Sequence, residues 1–260
     1  MTTVRRITAP LGAAVAAVAL ALAAGCGGGS AATTDPTPTS TTTPAAGEPA
    51  APAGDDRAPQ PAEGTSQVAR SDGEVAVFAA PGDGQPATVL PATTDFGSPR
   101  ALLVVADDGE WLEVALPERP NGSTGWIRRD AVEVRTIDES IAIDVAARTL
   151  TRLDGGVEVL TTPVAVGTDA NPTPTGAFYV VDKLDTGDPG GPYGQFAFGL
   201  SAHSDVLTEF AGGDGQVGIH GTDDPSSIGA AVSHGCVRVP NDVAQVLSET
   251  VNLGTPVLIS

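Results

Sequence analysis

Short apolar runs separated by turn residues dominate the chain from about residue 66 onward. In the first part of this region the runs occupy residues 75–78, 102–105, 111–114, 125–127 and 132–134. Turn signals stand between them, such as Pro-Gly-Asp-Gly at 81–84 and Asp-Asp-Gly at 107–109. Short runs with such boundaries are typical of β-strands. The pattern predicts a small all-β domain over residues 66–136.

The same pattern continues over residues 137–260. Gly, Pro, Asn and Asp separate the runs, which occupy residues 141–144, 150–153, 157–160, 163–166, 177–181 and 257–259. Near the C-terminus a helical period replaces this pattern. Asn241 or Asp242 can cap the helix and Gly254 can end it. Its apolar stripe is formed by Val243, Val246, Leu247 and Val251. We therefore expect a mainly β protein with one short helix.

The N-terminal segment has the anatomy of an export signal. Arg5 and Arg6 precede an apolar run over residues 11–24, which is shorter than the roughly 20 residues that span a bilayer. Such a segment is typical of a secretory signal peptide, which we place at residues 1–25.

Two cleavage patterns fit this signal. The Ala-Ala-Gly before Cys26 resembles a bacterial lipoprotein box, which implies that Cys26 is lipidated and becomes the mature N-terminus. Ala21-Leu22-Ala23 also fits ordinary Ala-x-Ala cleavage, which would leave a soluble secreted protein. Both patterns predict an extracytoplasmic protein. The first also predicts a protein that is anchored by lipid in the cell membrane and reaches into the cell wall.

Residues 26–65 are predicted to be a disordered linker. They consist mostly of Pro, Thr, Ala, Gly and Ser, with almost no large apolar side chain. Such a segment cannot bury enough surface to offset its ordering entropy. We expect it to act as a tether between the membrane and the folded part of the chain.

The negative charge of the chain argues against two classes of binding partner. The formal net charge is -19 at pH 7, and Lys183 is the one lysine. Nucleic acid and anionic membrane surfaces attract basic proteins, so neither is an expected partner. Contact with the membrane would come through the lipid anchor alone.

Residues 219–238 hold most of the reactive side chains. His220 and His234 are two of three histidines, and Cys236 is one of two cysteines. Thiolate catalysis needs a nucleophile, a base and donors for the developing oxyanion. This segment could supply all three, and Gly235 permits a tight turn beside the cysteine. Two other interpretations are open: a buried structural cysteine, and a zinc site formed by His220, His234 and Cys236.

The motif resembles that of the YkuD-type L,D-transpeptidases. His220-Gly221-Thr222 is followed by Ser-His-Gly-Cys-Val-Arg at 233–238, and the likeness covers about residues 137–260. The resemblance implies a β-sandwich catalytic domain with a short helix after the catalytic turn. Residues 111–114 and 125–127 resemble bacterial SH3-like domains, which implies a small SH3-like barrel before it. There Trp111 and Trp126 could line a ligand groove or pack in the core.

The resemblance also implies roles for individual residues. Cys236 would be the nucleophile, His220 the general base, and the backbone carbonyl of Gly221 the group that orients His220. Oxyanion and substrate contacts would come from the same turn and the arginine after it: Ser233, His234, Gly235 and Arg238. Arg238 could clamp a substrate carboxylate or anchor the structure. No role is expected for His203, and no metal or cofactor is implied.

Three functions are compatible with these residues. The resemblance implies an enzyme that forms 3→3 cross-links between peptidoglycan stem peptides, as donor and acceptor, and that carbapenem-type β-lactams inhibit. Hydrolysis of the same bond would make it an L,D-carboxypeptidase. A catalytically silent wall-binding lipoprotein is the third possibility.

Overall fold

The computed structural model describes residues 64–209 and 213–260, all of which lie within one compact unit, Gly54–Ser260. The signal peptide, Cys26 and nearly all of the predicted linker lie outside the described residues. The strands are β1 Ser66–Arg70, β2 Val75–Val77, β3 Thr88–Leu90, β4 Ala101–Asp107, β5 Trp111–Ala115, β6 Thr124–Arg128, β7 Glu133–Ile137, β8 Glu139–Asp144, β9 Thr149–Asp154, β10 Val157–Pro163, β11 Val166–Gly167, β12 Gly176–Asp185, β13 Phe196–His203, β14 Gln216–His220, β15 Ala231–Ser233, β16 Val237–Arg238 and β17 Pro256–Ile259. The one α-helix among these residues is α1, Asn241–Thr250. No helix in the described ranges is long and apolar enough to cross a membrane.

The first half folds as an antiparallel sheet in the order β6-β5-β4-β1-β7, with β2 and β3 paired separately. The predicted all-β character of this half is confirmed, and its likeness to SH3 domains stays a prediction. Trp111 lies in the core, where its ring packs edge-on against Phe78 at 5.1 Å between centroids. Arg128 covers the same ring at 5.1 Å. Trp126 is half-buried, and its backbone bridges to Phe78.

The second half is built on an eight-stranded sheet in the order β10-β9-β8-β17-β12-β13-β14-β16. Most neighbours are antiparallel, but β8 with β17 and β14 with β16 are parallel pairs. Strands β11 and β15 form a separate two-stranded parallel sheet. β15 ends at Ser233, where the turn that precedes Cys236 begins. The predicted mainly β fold with one short helix after that turn is confirmed.

The two halves share their cores. Val68 of β1 packs with apolar residues of the second half, such as Phe178 of β12 and Leu247 of α1. In the opposite direction, Tyr179 and Val181 of β12 pack in the core of the first sheet. The hydroxyl of Tyr179 also donates a hydrogen bond to the carbonyl of Ala115 at 3.1 Å. Apolar burial is therefore continuous across both halves.

The predicted details of the helix are wrong in three respects. Pro240 is the N-cap residue and no side chain caps the helix, because the amide of Asn241 bonds elsewhere. Val246 is exposed, whereas Ala244 is buried with Leu247. The helix ends at Thr250, before Gly254, which lies in the turn that leads to β17. A Cβ at Gly254 would collide with Val68, so the glycine there serves packing against β1.

Candidate active site

Five of the predicted site residues line a single cavity of about 160 Å³: His220, Ser233, His234, Cys236 and Arg238. Gly221 and Gly235 adjoin them along the chain. The histidine that received no role, His203, is not among the lining residues. It is buried at the end of β13, where its Nε2 lies 2.9 Å from a carboxylate oxygen of Asp214.

Parallel pairing of two strands brings the histidine and the cysteine together. β14 ends at His220, and β16 begins one residue after Cys236. Ile219 is in register with Val237, and His220 with Arg238. The same register, continued by one residue, places Cys236 beside Gly218. Two residues distant in sequence therefore lie at the same edge of the sheet.

His220 is held in one tautomer. Its Nδ1 lies 2.6 Å from the carbonyl oxygen of Gly221, and a carbonyl can only accept. Nδ1 therefore carries the proton, and Nε2 keeps a lone pair. The ring is 5% exposed. Burial lowers the pKa of His220 from 6.5 to about 4, so the imidazole is neutral at neutral pH.

The thiol of Cys236 is also held in its neutral form. Burial raises the pKa of this thiol above its ordinary value, since a buried thiolate loses hydration. A hydrogen bond with the Gly218 backbone and the charge of Arg238 act in the opposite direction. The resting pair is thus a thiol and a neutral imidazole, so any nucleophilic attack by this sulfur would require the thiol proton to leave.

Hydrogen bonds to Ser233 and Thr173 shape the turn that precedes the cysteine. The hydroxyl of Ser233 accepts from the Gly235 amide at 3.1 Å and donates to the Cys236 carbonyl at 2.6 Å. Gly235 has a φ of 118°, a conformation that strongly favours glycine. The Thr173 hydroxyl donates to the Gly235 carbonyl at 2.9 Å and accepts from the Gly167 amide at 2.9 Å. The Gly235 amide is therefore engaged within the turn.

The backbone of Arg238 joins β16 to the segment between β10 and β11. It exchanges two hydrogen bonds of 2.9 Å with Ala165. The side chain is half-buried, and its Nε makes no hydrogen bond to any residue that the structure describes. Its charge lowers the pKa of both His220 and Cys236, which disfavours imidazolium and favours thiolate. A guanidinium in this position can bind a carboxylate.

Three contributors to the site were not predicted as such. Thr173 supports the turn, as above. Tyr193 packs its ring edge-on against His220 at 4.8 Å between centroids. Asn241 accepts a hydrogen bond from the Thr222 amide at 2.7 Å and donates to the Thr222 carbonyl at 2.9 Å. The position of Asn241 soon after the motif is the one signal in the sequence, and it suggested a helix cap instead.

The zinc hypothesis gains no support from the described ranges, 64–209 and 213–260. They contain no group of three or more His, Cys, Asp or Glu side chains that could hold a metal ion. The thiol–imidazole interpretation instead agrees with the single tautomer of His220 and with the cavity that His220 and Cys236 share.

Comparisons with known proteins identify a family and several relatives that are similar to this chain. The family described as the L,D-transpeptidase catalytic domain, YkuD, matches residues 138–259. The L,D-transpeptidase YkuD of Bacillus subtilis (strain 168) is 38% identical over 125 residues, which are 48% of this chain and 68% of that protein.

Two solved structures are similar over part of the chain. An L,D-transpeptidase of Enterococcus faecium, solved as a Cys-to-Ser mutant, has 26% identity and a TM-score of 0.36. The match covers 48% of this chain and 50% of that one, so this chain spans half of its length. L,D-transpeptidase 3 of Mycobacterium tuberculosis, in complex with a faropenem-derived adduct, has 15% identity and a TM-score of 0.40. That match covers 62% of this chain and 90% of the other.

Proposed function

Because the chain belongs to the family of YkuD-type L,D-transpeptidases, we propose that it cross-links peptidoglycan through an acyl-enzyme on Cys236. The donor is a tetrapeptide stem that loses its terminal D-alanine, and the product is a 3→3 cross-link. One observation carries the assignment of roles. His220 lines the same cavity as Cys236, and its Nδ1 contact to Gly221 leaves Nε2 as the basic nitrogen.

The first half-reaction forms a thioester. The sulfur of Cys236 attacks the carbonyl carbon of the third stem residue while His220 Nε2 takes the thiol proton. Collapse of the tetrahedral intermediate breaks the amide bond to D-alanine. The imidazolium of His220 gives its proton to the departing amine. The low pKa of His220 makes the imidazolium a strong acid for this step.

The second half-reaction transfers the acyl group. A side-chain amine of the acceptor stem attacks the thioester carbonyl and loses a proton to His220 Nε2. The carbon–sulfur bond then breaks, and the same proton returns to the sulfur of Cys236. The enzyme is restored with a neutral thiol and a neutral imidazole, which is the resting state favoured by burial.

We assign the oxyanion contact to the backbone amide of Cys236. The Gly235 amide donates to Ser233, so its predicted oxyanion role would require that bond to break. Ser233 acts by shaping the turn. His234 is exposed on the cavity wall, where it would contact substrate. Arg238 lines the cavity, which supports a role for its guanidinium in binding a carboxylate of the stem.

The location of the protein is likewise a proposal. Residues 1–25 would direct export, lipidation of Cys26 would anchor the chain, and residues 26–65 would carry the folded part toward the wall. An SH3-like domain over 66–136 and a catalytic domain over 137–260 complete the arrangement. Substitution Cys26→Ser should move the protein from the membrane fraction to the soluble fraction on fractionation. A wild type that already fractionates as soluble would favour ordinary cleavage at Ala-x-Ala.

Incubation with a disaccharide-tetrapeptide tests the function. Mass spectrometry should show a cross-linked dimer and free D-alanine for the wild type, and neither for Cys236→Ala. A carbapenem should add once to the wild type and not to that variant. Tripeptide without dimer would identify an L,D-carboxypeptidase. A folded wild type that forms no product and no adduct would favour the silent wall-binding lipoprotein.

A further inference from the structure

A loop of the first sheet contacts a wall of the catalytic cavity. The loop joins β5 to β6 and contains Arg119 and Asn121. It lies against the connection between β13 and β14, whose described residues 203–209 and 213–215 we call the wall segment. Ser204, Leu207 and Gly215 of this segment line the cavity with His220 and Cys236.

The guanidinium of Arg119 bonds to three carbonyl groups of the wall segment. One terminal nitrogen donates to Ser204 at 2.6 Å. The other donates to Leu207 at 3.2 Å and to Asp214 at 2.9 Å. A planar guanidinium presents several donors in a fixed geometry, so one side chain can join both arms of the connection.

Asn121 makes a second set of contacts two residues later. Its side-chain oxygen accepts from the His203 amide at 2.9 Å, and its nitrogen donates to the His203 carbonyl at 2.8 Å. These two bonds imitate the pairing of a neighbouring strand at the place where β13 ends. The loop therefore fixes the start of the wall segment as well as its middle and its end.

The other supports of the wall segment are mostly internal, and they include a contact of 2.9 Å between His203 Nε2 and a carboxylate oxygen of Asp214. The amide of Ser204 donates to the Gly215 carbonyl at 2.9 Å, and its hydroxyl accepts from Val206 and Leu207. The pairing of β13 with β14 is irregular between Gly199 and His203. A connection with so little ladder pairing takes its conformation from side-chain contacts such as those of Arg119.

We propose that Arg119 and Asn121 are positioning residues that hold the wall segment in the shape that binds the donor stem peptide. The inference rests on the proposed transpeptidase function. It gives the first sheet a part in substrate binding, although neither residue lines the cavity. Loss of either residue should weaken binding of the large peptide and leave the chemistry at the sulfur intact.

Three measurements on the full chain test this role. In Arg119→Ala, hydrogen exchange of the wall-segment amides should become at least about tenfold faster, since three charge-assisted bonds are lost. With the disaccharide-tetrapeptide, KM should rise about tenfold while kcat stays within about twofold. The rate of Cys236 alkylation by iodoacetamide, a small reagent, should not change. Asn121→Ala should act in the same direction.

Arg135→Ala is the matched control, because Arg135 is an exposed arginine of the same sheet that bonds only to Glu133. It should leave exchange and KM unchanged. If Arg119→Ala does not fold, Arg119→Lys provides the test, since one ammonium cannot reach three carbonyls in this geometry. The exchange rates of the wall-segment amides and the KM of Arg119→Lys should both be higher than those of the wild type.

The outcomes separate the two proposals. Unchanged exchange in the folded Arg119 variant would show that Arg119 does not hold the wall segment. Faster exchange with an unchanged KM would show that the wall segment has no role in binding the stem peptide. If the wild type does not act on the tetrapeptide, the proposed function fails and the substrate role fails with it. The exchange result would then still decide whether Arg119 holds the wall segment.

Discussion

At the level of single residues, burial decides the charge state of the proposed catalytic pair, His220 and Cys236. His220 is neutral because a charged imidazolium in its buried position would lack hydration. The thiol of Cys236 stays protonated because a buried thiolate would lack hydration in the same way. A preformed thiolate–imidazolium pair would need the opposite shifts. The motif residues alone do not carry this information, since the same residues at a wet surface would titrate near their ordinary values.

The low pKa of His220 predicts a pH profile. Acylation of Cys236 by a carbapenem needs the neutral imidazole, so its rate should hold from pH 7 to about pH 5 and fall as pH drops through about 4. The acid limb can be measured by intact-protein mass spectrometry after short incubations. His234→Ala should keep the same midpoint. A midpoint near 6.5 would show that the ring of His220 is not shielded from water in solution.

The same shift predicts a pH dependence of stability. The folded pKa of His220 is about 4 against 6.5 for an exposed histidine, so the unfolded state binds the extra proton between these values. The free energy of unfolding contributed here is complete above pH 6.5 and is lost as pH falls toward 4, by about 3 kcal/mol. Urea titrations at pH 7 and pH 4.5 measure it. His220→Gln should lose less stability over this interval than the wild type, and an equal loss would contradict the prediction.

At the level of elements, the first turn of α1 holds the loop after β14. Asn241 fixes the backbone of Thr222 with two hydrogen bonds. Its side-chain oxygen fits a notch formed by Gly194 and Gly221, where a Cβ on either glycine would come within 2.6 Å of it. The carbonyl that orients His220 belongs to Gly221. The helix therefore holds Thr222, the residue next to Gly221, and so helps to fix the carbonyl that His220 contacts.

Removal of the Asn241 amide should disturb the base without touching the sulfur. In Asn241→Ala the Thr222 backbone loses both partners, and we expect acylation by a carbapenem to slow by about tenfold, equivalent to about 1.4 kcal/mol. Gln245→Ala is the matched control, since the side chain of this residue of the same helix is exposed and donates to the side chain of Glu249. Parallel rates for both variants, with unchanged melting temperatures, would contradict the role of Asn241.

At the level of the whole molecule, each of the two cores contains side chains from both halves of the chain. Tyr179 and Val181 of the large sheet are buried in the first sheet's core, and Val68 is buried in the opposite one. Exposure of an apolar side chain of this size costs about 1.5–3 kcal/mol. The two halves should therefore unfold together.

A truncation tests this cooperativity. A fragment of residues 137–260 would expose Tyr179 and Val181, and we expect it to aggregate or to melt well below the full chain. A fragment of residues 64–260 retains both sheets and should melt close to the full chain. Calorimetry of the two fragments gives the answer. Equal melting temperatures for both would show that the catalytic half is stable without its neighbour.

Local patterns were sufficient for much of the fold. Short apolar runs bounded by turn residues predicted most strands, because buried strands are short and residues such as Gly, Pro, Asn and Asp favour the turns between them. The motif around His220 and Cys236 predicted five of the residues that line the cavity, because these five lie on one short stretch of chain. The apolar runs did not predict strands β1, β3 and β13–β16. Of these, β3 and β16 are very short, and the last three were considered only as motif residues.

Contacts between distant segments could not be derived from those patterns. Thr173 reaches the catalytic turn across 62 residues, and Arg119 reaches the cavity wall across 85. The predicted cap at Asn241 was wrong because tertiary packing gave its amide a different partner. The sequence by itself determined which chemical groups this protein has and which strands can form. The tertiary structure alone decided their pKa values and partners, because burial and long-range hydrogen bonds depend on how the strands pack.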